Sequence, residues 1–158
     1  MSQILMALSY WLHSLATVVF IGYFLLQALF YYPVLANTRS IPQGGLALSQ
    51  VSKRSRYWMY TALLVFILTG VILMLLDPAY LGLGNFGNGW SILMLVKHLL
   101  ILGMVGLGFW NNFIVRIGPM MDKNPIPEDL LSRYRNYILW MSVLGVLVLL
   151  LTAISQSF

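Results

Sequence analysis

The 158-residue chain is 60% hydrophobic and only 8% charged, with a mean hydropathy of +0.85, which excludes an ordinary soluble globular domain and reads as an integral membrane protein. It has no Cys, so disulfides, thiolate metal sites and thiol catalysis are excluded. The formal charge of +5 is gathered between apolar runs rather than along a basic face, so the surplus follows membrane topology and no nucleic-acid partner is expected.

Four apolar runs each approach or exceed the ~20 residues that ~30 Å of hydrocarbon requires. They predict an all-α, integral membrane, antiparallel four-helix bundle, a single domain over residues 1–158 with helices at about 4–32, 46–76, 90–116 and 127–155. In the first, Trp11 near one end and Tyr31 and Tyr32 before Pro33 form the aromatic belts of a span. His13 lies inside it, and Met6, Ser9, Tyr10, Ala16, Thr17 and Phe20 recur at helical spacing on a face expected to point at protein. The run has no basic segment before it and no small-residue cleavage pattern after it, so it is expected to stay in the mature protein.

Arg39, Lys53, Arg54 and Arg56 separate this run from the second, whose far half carries Gly70. The loop that follows contains Gly82, Gly84 and Gly87 in the spacing of a dinucleotide-binding fingerprint. That motif needs a preceding strand, and a membrane helix precedes it here, so a tight turn opened by Asp77 and Pro78 and closed by Trp90 is predicted instead. The third run carries Lys97 and His98 side by side, then Gly103, Gly106 and Gly108, and ends near Asn111 and Asn112. Arg116, Lys123, Arg133 and Arg135 flank the last connection, where Pro127, Glu128 and Asp129 suit the first turn of a helix that carries Gly145. With eight of nine cations in these two connections, the positive-inside rule places both termini outside, on the periplasmic or extracellular side of a prokaryotic plasma membrane.

Counted from the outer boundaries at Ile4 and Trp90, His13 lies ~13 Å and His98 ~12 Å deep, with Gly70 at ~9 Å and Gly145 at ~15 Å. Two imidazoles from facing helices and two glycines in one layer suit a flat macrocycle: axial nitrogen ligands, with bare backbone leaving room for the ring. Haem b on His13 and His98, with Gly70 and Gly145 lining it, is the sharp reading. A small-metal site and a hydrogen-bonded structural pair stay open. No Asp or Glu lies in any run, which argues against carboxylate proton relays and hard cations. Lys97 can pair with a propionate, hold an anionic substrate or reach out to the headgroups. Met6, Met74 and Met94 with the imidazoles suit Cu(I), so a copper ion is the alternative cofactor.

The segments WLHSLATVVFIGYFLLQALFYYPVL, RSRYWMYTALLVFILTG, LVKHLLILGMVGLGFWNNFIVRIGP and LSRYRNYILWMSVLGVLVLLLTAI resemble the successive helices of the copper resistance protein D family, with His13, Gly22, Pro33, Gly70, Lys97 and Asn111 or Asn112 as fixed points. The same layout is similar to that of the bacterial four-helix, haem-binding protoporphyrinogen oxidases. That resemblance implies His13 as a haem ligand and Lys97 as a catalytic or substrate-binding residue. It departs at His98, where those enzymes carry an apolar residue.

The combined expectation is a haem b protein acting in redox chemistry or electron transfer at the outer face, an oxidoreductase if it is an enzyme. A quinone, a porphyrinogen or another membrane redox protein are its expected partners besides the lipid bilayer. Copper transport or resistance is the rival function, and a non-catalytic subunit of a larger complex the third; homo-oligomer and complex subunit both stay open.

Overall fold

The structure, a computed structural model, describes residues 3–37, 42–82, 85, 87–111 and 128–155, and within these not the side chains of residues 35 and 42–53. The described residues are helical apart from the turn after residue 76. In chain order, α1 is Gln3–Leu26, a π-helical turn follows at Gln27–Tyr31, α2 is Tyr32–Asn37, α3 is Pro42–Leu76, α4 is Gly89–Phe109 and α5 is Glu128–Ser155. Four stretches are long and apolar enough to cross a membrane: Gln3–Val34, Arg54–Leu76, Gly89–Phe109 and Glu128–Ser155. Leu, Val, Ile, Trp and Phe side chains stand exposed along all of them, as lipid-facing surfaces do when hydrocarbon replaces water as the solvent.

Local chemistry explains the ends. Asn88, with extended backbone, accepts the Ser91 N–H on its side-chain oxygen at 2.8 Å and so caps α4. Glu128 and Asp129 occupy the first turn of α5, at the positive end of its dipole. Pro33 has no N–H to give to the turn before it and its ring crowds that backbone. The wider π turn lies there, with the Tyr32 N–H bonded to the Gln27 carbonyl oxygen. The residues from 112 to 127, with the expected end of the third helix at Arg116 and the expected start of the fourth at Pro127, lie outside the described residues, as does Gly84.

α1 is the central helix. It packs along α3 on one side and α5 on another, while α4 packs on α5. Neither α1 with α4 nor α3 with α5 forms a close pair. The buried core joins Phe20, Ile21 and Phe24 of α1, Met59 and Ala62 of α3, Met104 of α4 and Met141 and Val148 of α5. On the face of α1 expected to meet protein, Ser9, Ala16 and Phe20 are buried but Met6 and Tyr10 are exposed. The packed part of that face thus begins beyond the first two turns, except at Ser9. α5 approaches α1 through Gly145, where an added Cβ would lie 3.0 Å from Ile21 Cγ2.

Overfilling that contact is expected to cost about 1–3 kcal/mol. Gly145→Leu should therefore lower the unfolding temperature of the detergent-solubilised protein, and Ile21→Ala in the same chain should restore part of it. An unchanged melting curve for Gly145→Leu would show that α5 does not close on α1 here.

Candidate functional site

His13 is half-buried on α1 and turned toward α3. Its ring stacks on Phe66, with centroids 4.6 Å apart and planes 21° from parallel. One turn along α3, the ring edge meets Gly70: a Cβ there would stand 3.1 Å from His13 Cε1, closer than nearly all real contacts. Gly70 is thus the only residue type that leaves this imidazole its place without a shift. Between Phe66 and Gly70, Thr69 reaches His13 Nδ1 with its hydroxyl oxygen at 2.9 Å.

That hydrogen bond assigns the tautomer. The Thr69 hydroxyl donates to the Val65 carbonyl oxygen at 2.6 Å, which uses its one proton and leaves lone pairs toward the ring. His13 Nδ1 therefore donates, and in the neutral ring Nε2 carries the lone pair. On α4, His98 Nδ1 lies 2.6 Å from the Met94 carbonyl oxygen. A carbonyl only accepts, so this Nδ1 also donates and this Nε2 is also the lone-pair nitrogen. Ring anchoring through one N–H with the other nitrogen free is the arrangement that metal-ligating histidines use.

Lys97, half-buried beside His98, lies within Coulombic reach of His13 on α1 and of Asp77 just past α3. The sequence reading passed over Asp77 except as a turn former. It is the acid nearest this lysine among the described residues in charge terms, and its Oδ1 is held by the Ala79 N–H at 2.9 Å. The Asn88 amide donates to the Ala79 carbonyl oxygen at 2.9 Å, and Tyr80 meets Trp90 edge-on with centroids 6.4 Å apart. These contacts fold the loop between α3 and α4 back onto the start of α4. Gly82 has φ +101°, a left-handed conformation that only glycine adopts freely. Gly82 of the fingerprint-like spacing thus serves a turn, with α3 where a strand would have to be.

The structure brings His13, Gly70 and Lys97 to one region. Gly145 sits elsewhere, against Ile21, which is eight residues beyond His13 on α1 and ~12 Å along its axis. The common layer expected for both glycines is therefore not what the packing produces, because counting from helix ends assumes equal tilt and a shared boundary. Thr69 reads from sequence only as a small residue beside Gly70 in the second span, and Phe66 has no sequence signal of its own; both orient the imidazole. What joins them is their i−1 and i−4 spacing to Gly70 on one helix face. Among the described residues no three of His, Asp and Glu gather at one point.

Haem bound by this chain would need ligand atoms with free lone pairs. The donor types suit it: His13 on α1 and His98 on α4 are two imidazoles, each with Nδ1 hydrogen-bonded to an oxygen. Comparison of the chain with protein-family models, with curated proteins and with solved structures gives no match in any of the three.

Nitrogen-15 spectra of histidine-labelled protein in detergent should give both rings as the Nδ1–H tautomer at neutral pH. Thr69→Val, of the same shape without the hydroxyl, should release His13 to a tautomer mixture and leave His98 unchanged, at a stability cost of about 1–3 kcal/mol for the unpaired donor. A His13 that is already mixed in the unsubstituted protein would refute the assignment.

Proposed function

We propose that the chain is a haem b-binding membrane protein of redox chemistry or electron transfer, with His13 and His98 as the iron ligands. The observation that supports this is the matched anchoring of the rings: His13 Nδ1 lies 2.9 Å from the Thr69 hydroxyl oxygen and His98 Nδ1 2.6 Å from the Met94 carbonyl oxygen, which would leave Nε2 of each as the ligand nitrogen. Bound there, haem would supply one-electron chemistry, and two imidazole ligands would favour electron transfer over oxygen activation. The chain's own part is orientation. Thr69 fixes the rotation of His13, Phe66 covers one face of the ring and Gly70 leaves room for its edge.

Lys97 is assigned to an anionic group, a haem propionate or the carboxylate of a substrate, since it stands half-buried beside His98 within an apolar span. The resemblance to the four-helix protoporphyrinogen oxidases agrees with these two residues and suggests a porphyrinogen as one substrate class, with a quinone or another membrane redox protein as electron partner. The reading includes an antiparallel bundle in a prokaryotic plasma membrane with both termini and the Asp77–Asn88 loop outside. Support for this orientation is the charge pattern: that loop has no Lys or Arg, whereas eight lie in the other two connections and the helix ends that border them.

The test is an absorption spectrum of detergent-purified protein, air-oxidised and then dithionite-reduced, with pyridine haemochromogen and copper analyses on the same sample. A sharp reduced α-band is expected, abolished in His13→Ala and converted to a high-spin spectrum or lost in His98→Ala. Colourless protein from haem-supplied cells would sink the proposal. Stoichiometric copper in that sample would favour the copper-transport reading, and no metal at all would favour a structural subunit.

A further inference from the structure

The sequence holds a single Asn–Gly pair, Asn88–Gly89, and the fold sets it where the loop after α3 meets the first residue of α4. Such a pair is open to attack by its own backbone. Glycine has no Cβ to shield its amide nitrogen, and that nitrogen stands one five-membered ring away from the carboxamide carbon of the Asn before it. Gly89 is exposed and Asn88 half-buried, at the edge of the span and next to the loop, so water has access to both.

In the closed loop the carboxamide is held at both ends. Asn88 Oδ1 accepts the Ser91 N–H at 2.8 Å, and Nδ2 donates to the Ala79 carbonyl oxygen at 2.9 Å. The Ala79 N–H is itself tied to Asp77 Oδ1, and Tyr80 meets the buried Trp90 edge-on. Turning the Asn88 carboxamide carbon onto the Gly89 nitrogen therefore means giving up two hydrogen bonds and the fastening of the loop with them.

We propose that Asn88–Gly89 is a self-modification site that the closed loop holds shut, so that Asn88 deamidates when the loop opens. The Gly89 amide nitrogen loses its proton to hydroxide and attacks Asn88 Cγ. The new N–Cγ bond forms as the Cγ–Nδ2 bond breaks; Nδ2 takes up a proton and leaves as ammonia, and a succinimide remains. Water opens that ring at either carbonyl, to aspartate or to isoaspartate. One water is consumed, one ammonia is released and no redox partner is needed. Neither product rebuilds the loop. Aspartate still accepts the Ser91 N–H but has no N–H for the Ala79 carbonyl oxygen, and isoaspartate routes the main chain through Cβ, which displaces the capping oxygen as well. Opening thereby becomes irreversible and frees the start of α4, the helix that carries Lys97 and His98. The site does not depend on what the histidines bind.

Peptide mapping by mass spectrometry tests it, on protein kept in mildly alkaline buffer either folded in detergent or unfolded in dodecyl sulfate and urea. Deamidation at Asn88 should run about thirtyfold slower in the folded protein, the factor that two ordinary hydrogen bonds supply. Tyr80→Ala, which removes the contact with Trp90 and should keep the helical circular dichroism, should fall between. Asn85, in the same loop but followed by Phe86, is the internal control and should stay intact in both states. Equal rates in the folded and unfolded protein, a Tyr80→Ala rate no higher than that of the unsubstituted fold, or an unfolded chain in which Asn88 reacts no faster than Asn85 would overturn the proposal.

Discussion

Hydrocarbon cannot solvate an imidazole, and the arrangement of α1 against α3 follows from that. A histidine in a span must find its hydrogen bond inside the protein. His13 finds it on Thr69, whose own proton goes back to the Val65 carbonyl oxygen. The ring's flat face takes the Phe66 ring, and its edge takes the space that Gly70 leaves free. Four residues on one face of α3 are thereby committed to a single side chain of α1. Among the described residues the most extensive helix contact, that of α1 with α3, runs through this face.

The same constraint recurs at the other end of α1, with a different solution. The Gln27 carboxamide oxygen accepts from the Tyr134 hydroxyl, which reaches it from α5. Polar contacts therefore bind α1 to α3 at one end and to α5 at the other. Between them lies the dry core of Phe20, Ile21, Phe24, Met59, Met104 and Met141. α4 touches this core chiefly through Met104, and most of its apolar surface is exposed. The loop that joins α3 to α4 is fastened by Asp77, Asn88 and the Tyr80–Trp90 contact, so α4 is held at its start and along α5 rather than against α1. That arrangement leaves the two histidine-bearing helices apart.

The loop between α3 and α4 also shows how a letter pattern is decided by its setting. Gly82, the first of three glycines in a nucleotide-fingerprint spacing, sits in a turn with a positive φ. The cofactor chemistry of such a motif depends on a strand before it and a helix N-terminus at its end. α3 precedes this one.

Much of the plan is legible in the sequence, for a physical reason: the bilayer imposes a minimum length and an apolar composition on every span. Four long helices, at about 4–32, 46–76, 90–116 and 127–155, follow without any knowledge of packing. So do the costly residues, because His13, Lys97 and His98 stand out where charge and polarity are least tolerated. What only the tertiary structure decided is which neighbours those residues have. Thr69 and Phe66 look like ordinary span residues until α3 is laid against α1. Gly70 and Gly145 look alike in sequence, yet one faces an imidazole and the other faces Ile21, since depth along one helix says nothing of the tilt and rotation of the next. Gln27 and Tyr134, 107 residues apart, become a pair only through the packing of α5 on α1. Length and hydropathy are properties of each segment alone, whereas a partner is a property of two, and that is why the sequence determined the spans and the fold determined the sites.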